Sequence, residues 1–223
     1  MSPQTKRRLV FLAGFALYFG AIWFAWDTPI VYPLKIFVVL LHEISHGIAA
    51  LATGGTIQGI ELDPAQGGVC YCPGGNAFLT LSAGYLGSLG WGALLLMGAR
   101  AGARPSRWIV GAVGALVVVL TLLYVRNGFG FGFGLLFGLA LFASAAKLPA
   151  RANRVLLTTL GLTSCLYAIL DIKSDVIDRP ELQSDARMLA EMTGIPTMVW
   201  GFLWIGIAIL VALLVFRKAF REA

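Results

Sequence analysis

Seven stretches of the chain stay apolar for about the 20 residues that a helix needs to cross a bilayer. They are 9–26, 33–53, 77–99, 107–125, 128–146, 153–176 and 196–216. Most are joined by short basic connections, but two joins differ. Residues 54–75 contain two apolar-rich stretches, Thr56–Leu62 and Val69–Cys72, on either side of Asp63-Pro64 and Gly67-Gly68. That arrangement predicts a β-hairpin. Residues 172–195 form a polar connection between the last two spans. Within it, Pro180–Met192 predicts a short interfacial helix, with Ser184 or Asp185 as its cap. The expected fold is an all-α membrane protein of about seven transmembrane helices, with a small β-hairpin after the second span. Residues 1–223 read as a single polytopic domain.

Composition supports this pattern. The chain is 58% hydrophobic and 13% charged, where soluble domains carry about 25% charged residues. The net charge of +6 comes from clusters at the span ends: Lys6-Arg7-Arg8, Arg100/Arg104/Arg107, Lys147/Arg151/Arg154 and Arg217/Lys218/Arg221. These suit interface anchors beside the headgroups of a lipid bilayer and do not point to nucleic acid. Lys6-Arg7-Arg8 before 9–26 resembles the start of a signal peptide. The apolar run is long, however, and no small-residue cleavage site follows, so it reads as a retained span. Seven alternating crossings place the amino terminus and both long connections on one face. Seven Lys/Arg then lie on that face and ten on the other, which leaves orientation open. Cys165 reads as a small core residue. Cys70 and Cys72 share a strand face, where a disulfide or a second metal site is possible.

The chemistry concentrates in the second span. His42-Glu43-Ile44-Ser45-His46 holds both histidines of the chain. Residues four apart lie on one face of a helix, so two imidazoles can grip one Zn2+ while Glu43 serves the water beside it. Ionisable groups in a membrane helix are expensive, which argues for function. A catalytic zinc takes three protein ligands, and no third histidine exists. Asp171, Asp175 and Asp178 follow an i, i+4, i+7 spacing. Span counting puts Asp171 roughly 10 Å deep, against roughly 10–16 Å for the histidines, at 1.5 Å per residue. Asp171 is therefore the expected third ligand and Asp175 the alternate, with Asp178 a solvated helix end. Glu43 is the expected general base. Asn76, near the hairpin, is the candidate for oxyanion stabilisation or substrate positioning. The hairpin can either offer a strand edge to an extended peptide or simply close the bundle. Gly84, Ser88 and Gly92 form a small-residue stripe suited to close helix contact, expected to face the histidine helix. Gly130, Gly134 and Gly138 repeat it.

Several of these segments together resemble a known family. They are His42-Glu43-Ile44-Ser45-His46-Gly47, Thr53-Gly54-Gly55, Ile60-Glu61-Leu62-Asp63-Pro64, Ala83-Gly84-Tyr85-Leu86-Gly87-Ser88 and the late aspartates. The chain is similar, over roughly residues 35–215, to the site-2-protease-like intramembrane zinc metallopeptidases, in their compact branch without a PDZ domain. The resemblance implies a multi-spanning endopeptidase acting on membrane-anchored protein substrates, in the cell membrane of a bacterium. Two departures stand out: there is no Asp-Gly pair, and Tyr85 stands where the better-known form has proline. Two other readings share the same residues. One is a non-proteolytic membrane protein that keeps a metal site and acts as partner or chaperone. The other is a metal-ion transporter.

Overall fold

The computed structural model describes residues 2–222 except Asp27, Pro180 and Glu181. Among the described residues, seven helices are long and apolar enough to cross a membrane. They are α1 (Pro3–Ala25), α2 (Tyr32–Ala52), α3 (Ala77–Arg100), α4 (Ala103–Tyr124), α5 (Gly128–Lys147), α6 (Ala150–Ile172) and α8 (Thr197–Glu222). The hairpin strands β1 (Gly59–Leu62) and β2 (Gly68–Tyr71) follow α2. A short helix α7 (Asp185–Thr193) precedes α8. The expected all-α fold with a hairpin after the second span is what the chain forms. Pro180, where the interfacial helix was expected to begin, lies outside the described residues.

The core sits around α2. Every residue from Lys35 to Gly47 on it is buried, as befits a helix that is apolar all round. Small residues set the neighbours at close range. Gly84 and Gly87 of α3 face His42 and Ser45 of α2. Further along α3, Gly92 lies against Gly161 of α6, and Ser164 of α6 donates to the Ser88 carbonyl at 2.7 Å. The stripe expected to face α2 is thus shared between α2 and α6. Gly134 and Gly138 of α5 meet Thr121 and Gly114 of α4 in the same way. The Arg107 side chain donates to the Ala145 and Ala146 carbonyls, closing the open end of α5.

The ends of the chain depart from expectation. Phe15 packs edge-on to Phe216 at 5.0 Å, and Arg8 lies over the Phe220 ring. The first turns of α1 therefore lie beside the last turns of α8, away from the hairpin. Seven alternating crossings would have put them at the hairpin's end.

The hairpin is antiparallel, pairing Gly59 with Tyr71 and Leu62 with Gly68. Its turn closes through Asp63, whose carboxylate accepts the Ala65 N–H and whose carbonyl accepts the Gln66 N–H. Strand β1 is buried through Ile60 and Leu62. Its outer edge is occupied: Arg126 N–H donates to the Ile60 carbonyl, and the Asn127 carboxamide makes two hydrogen bonds with the Leu62 backbone. The return to α3 crosses Gly75 at φ +71°, where a Cβ would lie 2.6 Å from Thr53 Oγ1. Only glycine combines that backbone with that approach.

Candidate metal centre

Helix α2 brings His42, Glu43 and His46 to one buried face, with ligand atoms all within 4.8 Å of one another. The residues are 9%, 5% and 7% exposed. The two imidazole rings are 4.8 Å apart, centre to centre.

The fourth member comes from α7. Asp185 Oδ2 lies 3.0 Å from His42 Nε2 and 3.2 Å from His46 Nε2, across 143 residues of sequence. Ser184 and Asp185 were both plausible caps for this helix. Ser184 takes the role, its hydroxyl accepting the Arg187 N–H. That leaves the Asp185 carboxylate free to point inward. Ala186 and Leu189 are fully buried beside Tyr85, Ile172 and Trp204, and this contact seats α7 under the histidines. Burial alone would raise the carboxyl pKa of Asp185. The charge of His46 and the hydrogen bonds of both imidazoles outweigh that and hold it below the usual range.

The other aspartates take different places. Asp171 Oδ2 lies 3.7 Å from His42 Nδ1, the far side of the ring. After Ile172 the chain winds as a π-helix over Lys173–Asp178, so the three carboxylates do not share an α-helical face. Asp175 accepts from Tyr85 Oη at 2.8 Å and from Arg179. Asp178 forms an exposed pair with Lys173. Asn76 caps α3, its side-chain oxygen accepting the Leu79 N–H, and it is exposed.

The hydrogen-bond logic at His46 is informative. Its Nδ1 lies 2.7 Å from the Thr80 carbonyl. A carbonyl only accepts, so Nδ1 carries the proton. In the neutral ring, Nε2 is then a bare acceptor, and it faces the Asp185 carboxylate, another acceptor. A positive charge belongs between them: a second ring proton, as in the charged His46 that lowers the Asp185 pKa, or a metal ion in its place. Donor atoms around a tetrahedral zinc, each about 2.0–2.1 Å from the ion, stand roughly 3.4 Å apart. The 3.0 and 3.2 Å spacings fall a few tenths short of that. A nitrogen, nitrogen, carboxylate set is also a zinc donor set.

Backbone closes in on two sides. At Gly84 a Cβ would lie 2.2 Å from His42 Nε2 and 2.7 Å from Asp185 Oδ2. At Gly68 of β2 it would lie 2.7 Å from Glu43 Oε1. Strand β2 thus runs along the glutamate. Cys70 and Cys72 form a disulfide, the first of the two roles open to them from sequence.

Apolar spans around a buried His–Glu–His group define the class: a multi-pass membrane protein with a set of residues able to hold a metal ion. The chain belongs to the peptidase M50B-like family, whose model matches residues 15–215. This bears out the resemblance to site-2-protease-like peptidases. No curated protein and no solved structure matches it.

Proposed function

We propose that the protein is an intramembrane zinc metallopeptidase that hydrolyses peptide bonds of membrane-anchored substrates. The observation that carries this reading is the convergence of two imidazole Nε2 atoms on one Asp185 oxygen. In this reading His42, His46 and Asp185 hold the metal. Asp171, the expected ligand, instead stands 3.7 Å from His42 Nδ1, where a carboxylate drawn to hydrogen-bonding distance would orient the ring and raise its basicity. The Thr80 carbonyl does the same for His46.

Bound zinc supplies Lewis acidity, lowering the pKa of water at the site to about 7 and polarising a carbonyl. Glu43 is placed to take a proton from water beside His42 and His46 and to return it to the leaving amide nitrogen. The edge of β2 beside Glu43 is the natural place for an extended substrate segment, because β1 is closed off by Arg126 and Asn127. Asn76, whose oxygen is engaged in capping, retains only its amide N–H groups for any contact with substrate. A cell-membrane address, bacterial as expected from sequence, belongs to this proposal.

The test is cleavage of membrane-anchored test substrates by detergent-purified protein, with Glu43→Gln as comparison. The variant should bind zinc like the wild type and lose at least a hundredfold in rate, the usual scale for general base catalysis of about 10²–10⁴. Equal cleavage by the variant rejects the mechanism. A metal transporter or a purely structural site would tolerate Glu43→Gln.

A further inference from the structure

We propose that Tyr85 is a positioning residue that holds Asp175 away from the metal, keeping a coordination position open for water and substrate. The proposal rests on the metal-centre reading above and concerns a residue with no role in it so far.

Tyr85 is 1% exposed. Its ring stands edge-on to His42, 5.1 Å between centres, and packs on Trp204 at 5.0 Å. Its hydroxyl donates to Asp175 Oδ2 at 2.8 Å. The phenol therefore bridges the site and Asp175, a nearby carboxylate bonded to no imidazole among the described residues. Asp175 sits one π-helical turn beyond Asp171, which is already at His42. A divalent cation held by His42 attracts any carboxylate within reach, and a fourth protein ligand would close the site. Catalytic zinc centres keep that position open, whereas structural ones fill it.

Two tethers hold Asp175 back. Arg179 donates to Oδ1 at 3.1 Å, but its side chain is 52% exposed, and exposed ion pairs hold weakly. The Tyr85 hydrogen bond is half-buried, from a fully buried phenol, and charge-assisted, the stronger kind. Removing the hydroxyl leaves Asp175 on the weak tether alone. The ring, with its contacts to His42 and Trp204, remains in Tyr85→Phe, so that variant isolates the hydroxyl.

The experiment uses full-length protein in detergent with Co2+ as the metal probe, because its visible spectrum reports coordination number and ligand type. Tyr85→Phe should change the visible bands and slow Co2+ release at least tenfold as Asp175 joins the metal. Asp175→Asn should keep the wild-type spectrum and release rate. The double variant Tyr85→Phe/Asp175→Asn should return to both. A Tyr85→Phe spectrum and release rate like the wild type overturn the proposal, as does a change that persists in the double variant. Co2+ uptake that survives His46→Ala with its spectrum intact overturns the metal centre itself, and the latch with it.

Discussion

Gly84→Ala tests the site through shape alone, without touching any chemical group. The new Cβ would lie 2.2 Å from His42 Nε2, whereas ordinary contacts begin at 3.4 Å. The imidazole must retreat by about 1.2 Å, or α3 must shift by as much. Metal–donor distances tolerate only about ±0.2 Å, so His42 is carried well out of bonding range. Asp185 Oδ2, 2.7 Å from the same Cβ, is pushed as well. The expected loss in zinc affinity is at least 100-fold, about 2.7 kcal/mol. Overpacking adds roughly 1–3 kcal/mol of destabilisation. Gly90→Ala is the control: it lies on the same helix and nothing stands within 4 Å of its Cβ. Zinc competition titrations on the detergent-purified proteins, with thermal unfolding alongside, separate the two effects. Zinc binding by Gly84→Ala within threefold of wild type would refute the placement of the centre against α3.

Other substitutions divide the aspartates and test the hairpin. Asp185→Asn should abolish stoichiometric zinc in metal analysis, because it removes a proposed ligand. Asp171→Asn should keep zinc with affinity reduced about 10–100-fold, the range for a lost orienting partner; the reverse ranking would return the ligand role to Asp171. Asn127→Ala removes two hydrogen bonds to Leu62 and should lower stability by about 1–3 kcal/mol through the unpaired backbone groups, read from unfolding in detergent. Gly68→Ala should press on Glu43, where its Cβ would come within 2.7 Å, and cut turnover of a test substrate at least tenfold while leaving zinc content unchanged.

The spans were legible because a bilayer imposes one simple rule on long apolar runs, and their ends fall within six residues of the observed helices. The hairpin was legible from its turn residues, Asp63-Pro64 and Gly67-Gly68. His42, Glu43 and His46 were legible because helical spacing fixes their common face whatever the rest of the fold does. The course of α1 was not. A run such as 9–26 states only that it suits lipid, and α1 buries just 6% of its most apolar window, against 78% for α2. Little in such a sequence specifies a neighbour or a direction.

Asp185 shows the limit most sharply. At the start of a short polar helix, Ser-Asp reads as a cap, because serine and aspartate are both preferred there. Capping needs only one of them. Once Ser184 supplies the oxygen to Arg187 N–H, the carboxylate next to it has no local duty. Depth along the span does bring Asp171 to His42, but to Nδ1 at 3.7 Å; it says nothing of α7, which packs under α3 and carries Asp185 to the Nε2 atoms. The signal that could have revealed this was Ala186 and Leu189. They lie on the apolar face of an amphipathic helix, which must find a buried partner. Whatever α7 buries against, the first-turn Asp185 is carried in beside it. A carboxylate forced into a bundle interior needs a cation or a donor, and the chain's only two imidazoles wait at that depth.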